Sequence, residues 1–344
     1  MYDDTPQHEA CREGQRNELS LLITRGASLH LRNKYNDTPL HVACDKGHAD
    51  CVALILVQRG ITRDARNDMG LTPLHYACRR NHDTCVALLL EFRADANARD
   101  DDDWTPLHYA CYRGYDAVAI LLLDAGAHTD VCRDIPDAVT PLHVACDGGH
   151  VRHVVCASLL LDHGADVNAP GYANETPLHV ASARGRRACA ARLIRGGALL
   201  DACDNDGMTP LHVACDEGHA VICNLLINAG ATLDAVDSHH GDTPLSLACM
   251  RPFRQYPDCA TALLNAGAEI PTELMTGASP CALLLRTEHA RRRSRLARCR
   301  WRASYTWVAL VGWLQMRAAH SVYAPGGVGF EDCKRRRIDG GMRP

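Results

Sequence analysis

Internal repetition is the strongest constraint on what this 344-residue chain can fold into. Thr38-Pro39-Leu40-His41 returns, letter for letter, at Thr72, Thr105, Thr140, Thr176 and Thr209. Relatives stand at Thr5 (Thr-Pro-Gln-His) and Thr243 (Thr-Pro-Leu-Ser), and Ser279-Pro280 is an eroded ninth start. Successive starts lie 33, 34, 33, 35, 36, 33, 34 and 36 residues apart. A period near 33 marks a solenoid, in which each unit buries apolar surface against its neighbours and no single central core exists.

The unit decodes from Thr38 onward. Thr38 suits an N-cap, because its side-chain oxygen can accept from an orphan N–H of the first turn. Pro39 follows at the one helical position where its missing N–H costs nothing. Leu40, Val42, Ala43 and Cys44 form an apolar face, and Gly47 ends the helix. A second helix is predicted from Asp50 to about Gln58, with Gly60 as its stop. Thr62–Asn67 then crosses as an extended, hairpin-like loop to the next Thr-Pro.

Cysteine placement follows the same ruler. Of 18 cysteines, seven share a first-helix slot (Cys11, Cys44, Cys78, Cys111, Cys146, Cys215, Cys249) and six a second-helix slot (Cys51, Cys85, Cys156, Cys189, Cys223, Cys259). A residue that recurs once per unit at an alanine-sized position fills a small hole between helices. His41-x-x-Cys44 and its copies share a helical face, but each offers two ligands where zinc needs about four. So many free thiols point to a reducing compartment, cytoplasmic or nuclear. The start, Met1-Tyr2-Asp3-Asp4-Thr5, gives no expectation of a secretory signal. No stretch approaches the length and apolarity of a membrane span.

The residues quoted resemble the ankyrin repeat family over roughly 1–286. That resemblance implies an all-α solenoid of about eight helix-turn-helix repeats whose first helices line a concave face. It also implies non-enzymatic protein recognition through that face and the loop tips. The domain reading is a repeat array at 1–286 and a basic tail at 287–344. Charge divides similarly: residues 1–285 carry a balance of −14 and the stretch from Arg286 onward +10.

Departures from the repeat carry more information than matches. Trp104 stands just before its Thr-Pro. Tyr112 and Arg113 follow Ala110-Cys111 where other units carry Asp-Lys, Asp-Gly or Asp-Glu, Arg79 and Arg80 fill that slot one unit earlier, and Tyr115 replaces the His of Gly-His. Trp, Tyr and Arg most often anchor protein interfaces, so these six are the candidate partner-binding residues. Tyr76 and Tyr109 fall in the Val slot and are expected in the core. Arg93 replaces a stop glycine at a cost of about 1 kcal/mol. Short insertions are read in the Cys132–Val139 crossing, in the Val151–Val155 turn between helices, and at Met250–Pro257. The first unit, with Gln7, Glu18 and Ser20, reads as an N-terminal cap.

No catalytic constellation emerges, because the repeat itself multiplies His and Cys. The seven histidines of the motif (His8, His41, His75, His108, His143, His179, His212) are expected to bond neighbouring backbone or hydroxyl groups. Neither Gly-x-x-x-x-Gly-Lys nor His-Glu-x-x-His occurs, and no cofactor is expected. Asp100–Asp103 lacks the spacing of a calcium loop and reads as a solvated tip. In the ankyrin family, asparagines placed like Asn97 and Asn168, eight residues after Leu89 and Leu160, can be hydroxylated; the alternative is a plain turn residue.

Beyond Arg286 the period is lost. Arg291–Arg293, Arg295, Arg298, Arg300 and Arg302 form one basic cluster and Lys334-Arg335-Arg336-Arg337 another, the latter a candidate nuclear import signal. Between them Tyr305–Met316 reads either as an amphipathic helix docked on the last repeat or as an unordered extension. The partners expected are other proteins, bound by a monomer; nucleic acid is expected only through contact with the basic tail, if at all. Two other roles stay open: a nuclear regulator acting through the Arg-rich tail, and a substrate-recognition subunit of a cullin-type ubiquitin ligase. The motif style resembles ankyrin proteins with a SOCS box, although neither the box's Leu-x-x-x-Cys element nor its Leu-Pro segment is found after 286.

Overall fold

The computed structural model describes residues 4–130, 139–250, 256–275 and 280–295. It divides into two units, 1–286 and 287–344. In the first, helices follow in pairs, one pair per repeat. They are α1 (Pro6–Arg12) and α2 (Arg16–Thr24), α3 (Pro39–Lys46) and α4 (Ala49–Leu56), α5 (Pro73–Arg80) and α6 (Asp83–Glu91), α7 (Pro106–Arg113) and α8 (Asp116–Asp124). Then come α9 (Pro141–Asp147) and α10 (Val151–Asp162), α11 (Pro177–Ala183) and α12 (Arg187–Arg195), α13 (Pro210–Asp216) and α14 (Ala220–Ala229), α15 (Pro244–Met250) and α16 (Pro257–Ala266). First helices pack on first helices and second on second. Among the described residues there is no strand. In the second unit, residues 287–295 are helical.

The motif histidine is the joint between repeats. In α3, the Thr38 backbone N–H donates to His41 Nδ1 (3.1 Å), and the Thr38 hydroxyl stands 2.9 Å from the same nitrogen. Nδ1 is therefore the unprotonated nitrogen, and Nε2–H donates to the Leu71 carbonyl of the next repeat at 3.1 Å. The same arrangement repeats from His8 to Asp37 and from His75 to Trp104. It continues from His108 to Val139, His143 to Glu175, His179 to Met208 and His212 to Asp242. All seven rings are buried, so each bond replaces water that cannot reach the site.

A second interlock lies at the turn between helices. Gly47 has φ +77°, and a Cβ there would meet the His82 ring of the next repeat at 2.5 Å. Glycine is needed for both conformation and space. His82 Nε2 donates to the Asp45 carbonyl (3.1 Å), as His48 does to Arg12 and His219 to Ala183. In repeat five this role falls to His153, bonded to the Tyr112 carbonyl at 3.0 Å, rather than to His150 of Gly-His. The extra residues placed in the Val151–Val155 turn are instead absorbed into α10, which runs 12 residues. Helix winding satisfies their backbone groups at once, which a longer loop would not. Likewise α4 begins a residue earlier than expected and ends two earlier, at Leu56. Arg93 does adopt the left-handed conformation its glycine counterparts use, with φ +62°.

The crossing hairpins are closed by side chains. Asn33, Asn67, Asp100 and Asp204 occupy equivalent positions, and the Oδ1 of each accepts backbone N–H groups two and four residues on, at 2.8–3.0 Å. This corrects the reading of Asp100–Asp103 as a uniformly solvated tip. Asp100 is buried, and its other oxygen accepts from Tyr109 Oη at 2.7 Å. Adjacent tips are stitched by backbone bonds from Asp68 N to Tyr35 O and from Asp101 N to Met69 O.

The fifteen described cysteines are free thiols, and all but Cys203 are buried. Burial raises the Cys44 and Cys78 thiols well above their ordinary range, which leaves them protonated and inert. The exception to the first-helix cysteine slot is Ser182, fully buried with a hydroxyl that has no hydrogen-bond partner. The described residues contain no group of three or more side chains able to hold a metal, and no helix long and apolar enough to cross a membrane. The Cys132–Val139 crossing (to residue 138) and most of the Met250–Pro257 insertion lie outside the described residues.

Three outcomes are expected. Ser182→Cys removes an unsatisfied hydroxyl and stabilises the array by about 1 kcal/mol, read as a higher urea midpoint. Burial lowers His41, His75, His108 and His143 to a pKa of about 4. The unfolded chain therefore takes up protons below pH ~6.5 that the folded chain refuses. Stability is complete above that pH and falls steadily toward pH 4, by up to roughly 3 kcal/mol per histidine. Urea midpoints at pH 7, 6 and 5 test this; a constant value would contradict it. Asp100→Ala strands two backbone N–H groups and the Tyr109 hydroxyl and costs about 3 kcal/mol, whereas Asp100→Asn, the residue nature uses at 33 and 67, costs under about 1 kcal/mol.

Candidate protein-binding surface

The surface begins with the residue three places after each motif proline. In the first helices that slot faces the crossing loops, and it holds Val144 and Val180 but Tyr109 in α7. The tyrosines expected in the core, Tyr76 and Tyr109, are instead half-buried and hydrogen-bonded at their hydroxyls. Tyr76 pairs with Asn67 and Asp37, and Tyr109 with Asp100. A phenol needs a partner when buried, and the loop carboxylates supply one at the edge of the face. Burial, together with the neighbouring carboxylate, holds Tyr109 far above its usual range, so it remains a neutral donor.

Trp104 is fixed at its backbone by three bonds. Its N–H donates to Asp100 Oδ1 (2.8 Å), while its carbonyl accepts from Asp100 N (3.0 Å) and from His75 Nε2 (3.1 Å). Its half-buried indole packs edge-on against Tyr109 (5.2 Å between centroids) and Tyr112 (5.7 Å), and it lies 5.7 Å from the His108 ring. The Arg113 guanidinium sits over the Tyr112 ring, 5.4 Å from its centroid. Tyr112 is nonetheless 49% exposed, a large apolar side chain held in place and uncovered.

Trp104 and Tyr112 form the wall between two grooves. The first, of about 460 Å³, is lined by Arg79, Tyr109 and Arg113 with Asp68, Asp100, Asp101 and Asp102. The second, of about 420 Å³, is lined by Val139, Val144, Tyr172, Val180 and Ala183, with Asp147, Glu175 and Arg184 at its margins. Burial raises the Glu175 carboxyl. A third groove, of about 360 Å³, lies farther along between α13 and α15, lined by Asp206, Asp216, Asp237, Asp242, His239 and His240.

Of the six candidate residues, four border these grooves: Arg79, Trp104, Tyr112 and Arg113. Arg80 lines neither groove and pairs with Asp45 of the preceding repeat at 2.7 Å, as Arg184 does with Asp147 at 2.6 Å. Tyr115 precedes α8 at the turn between helices and packs on the core, lining neither groove. Asn97 and Asn168 are half-buried ties to the next repeat. Asn97 Oδ1 accepts from His128 N at 2.7 Å, and Asn168 Oδ1 accepts from Leu199 N at 2.8 Å. Lys334–Arg337 lie outside the described residues. Tyr109 and Tyr172 were missed as groove residues. Tyr109 betrayed itself only as an aromatic in a valine slot. Tyr172 is presented by a short 3-10 turn, Tyr172–Asn174, whose Ala173 and Asn174 have positive φ, and no residue pattern announces that turn.

The model for ankyrin repeats in three copies matches residues 2–67, 57–132, 125–198 and 188–273. Protein fem-1 homolog A of Danio rerio is 45% identical over 56 residues, which is 13% of this chain and 9% of that protein's length. The crystal structure of the human ASB11 ankyrin repeat domain is 28% identical, with a TM-score of 0.49, over 77% of this chain and 99% of that one. With 2–273 covered without a gap by the repeat model, the chain belongs to the ankyrin repeat family.

Proposed function

We propose that this chain is a non-enzymatic recognition scaffold that binds a partner protein across the face made by its first helices and crossing loops, with Trp104 and Tyr112 as the central contacts. The observation that carries the reading is the aromatic wall between two grooves. Folding ordinarily hides such side chains, yet here their backbones are pinned by Asp100, His75 and His153 while Tyr112 stays half in water. Rigid Trp and Tyr side chains bordered by Arg lose little conformational freedom on binding and dominate interface energies. The buried free thiols fit residence in a reducing compartment, cytosol or nucleus. The protein acts as a monomer in this reading.

Affinity purification of the full chain beside its Trp104→Ala and Tyr112→Ala variants tests the reading. Both variants are expected to keep the wild-type circular dichroism and to lose more than tenfold of the specifically recovered protein. Unchanged recovery by both would move the binding surface elsewhere.

A further inference from the structure

Charge on this face is distributed in a pattern. The three grooves together are lined by ten carboxylates and three guanidiniums, although the acids are not evenly spread. The first groove has four aspartates against Arg79 and Arg113, and the third has four aspartates with His239 and His240. The middle groove has only Asp147 and Glu175, and Asp147 is already paired with Arg184 at 2.6 Å. Its remaining lining is valine, alanine, tyrosine and tryptophan, with the edge of the neutral His143 ring. A middle groove near charge balance is thus flanked on both sides by grooves with an excess of carboxylates, the third of which is also lined by Met208, Leu247 and Met250. Some of the flanking acids have work within the fold: Asp101 pairs with Arg66, Asp206 with His239, and Asp100 holds its hairpin. Asp68 and Asp102 make no ion pair among the described residues and are exposed at the loop tips.

We infer that the partner, in the recognition role proposed above, presents an extended, unfolded segment with an apolar anchor side chain at its middle and Lys or Arg toward both ends. The anchor enters the groove of Val144, Val180 and Tyr172, and the cationic ends lie along the Asp68–Asp102 and Asp206–Asp237 tips. Length supports an extended chain. From the α5–α7 groove to the α13–α15 groove is four repeats, or ~40 Å at the ~10 Å spacing of packed helices. An extended chain at ~3.3 Å per residue covers that in ~12 residues, whereas a helix of that length reaches only ~18 Å. Charge complementarity assigns the sign of the ends. A like-charged acidic segment would meet carboxylates at both flanks, and rim charges govern encounter and salt dependence more than final affinity. The aromatic wall supplies faces on which Arg or Lys can also rest.

The probe is a random 16-residue linear peptide library displayed on phage and selected on the full chain, with winners measured by fluorescence anisotropy. Enriched peptides are expected to combine a central aliphatic or aromatic residue with Lys or Arg on both sides. Affinity should fall about tenfold between 50 and 300 mM salt. It should fall a further fivefold or more in Asp68→Asn/Asp102→Asn, and at least tenfold in Tyr172→Asp, where the replaced side chain is exposed, each with an unchanged melting temperature. Asp206→Asn/Asp237→Asn, on the far groove, should weaken peptides with a basic second end and leave those truncated before it unaffected. Acidic winners, or basic winners indifferent to all four aspartates, would overturn the inference. If no linear peptide is enriched while Trp104→Ala still abolishes recovery of a cellular partner, the segment is wrong and the binding face stands. If Trp104→Ala leaves that recovery intact, the face itself is wrong.

Discussion

Everything in this array hangs on a neutral imidazole held between two repeats. The ring can cap its own helix only if Nδ1 is bare, and it can reach the next repeat only if Nε2 carries the proton. One tautomer satisfies both demands, and burial enforces it by driving the protonated form out. Thr-Pro starts the helix, Leu fills the hole beneath it, and the small Ala-Cys pair lets neighbouring helices approach. These residues place the ring rather than compete with it. The same repeat that multiplies histidine and cysteine therefore removes them from chemistry, because each copy is consumed by a joint or a core position.

Recognition is built on what the joints leave over. The first helices and the hairpins must present some surface to solvent, and their backbone is fixed from behind by the histidine bonds and from the side by Asn or Asp at the hairpin base. Side chains on that surface are thereby positioned by the backbone behind them. Trp104, Tyr109 and Tyr112 touch one another on such a frame, and the charged tips beside them are set by the same hairpins. The arrangement is ordered by the fold itself, so in the recognition role proposed above binding would lose little to ordering the site.

The helix pairs, their caps and the stacking were legible in the residues because each rule acts over a few positions and repeats eight times. Trp104, Tyr112, Arg79 and Arg113 were legible as departures from the repeat. What escaped was the part that depends on three-dimensional neighbours. Tyr109 sits in a valine slot, and only the carboxylate of Asp100, brought beside it by the hairpin, makes the edge of the face preferable to the core. Asp100 itself looked like one of four similar aspartates, since sequence does not distinguish the one that turns inward. Gly149-His150 mimicked the repeat's Gly-His while the working ring was His153, three residues on, because helix α10 took up the insertion. Arg80 shared a slot with Arg113 but found Asp45 across the repeat boundary.

The joint has one property with wider reach. Its acceptor is always a main-chain carbonyl, contributed in turn by Asp37, Leu71, Trp104, Val139, Glu175, Met208 and Asp242. Six kinds of amino acid serve equally, because the bond is blind to the side chain. The joint itself therefore imposes no vocabulary on the position before each threonine, although Leu71 is buried there and Asp37 also accepts from Asn67 and Tyr76. A duplicated or exchanged repeat would find its connection ready whatever residue stood there, and drift at the copies left partly open to solvent would change the surface without loosening the joint. Trp104 occupies one of those liberated positions.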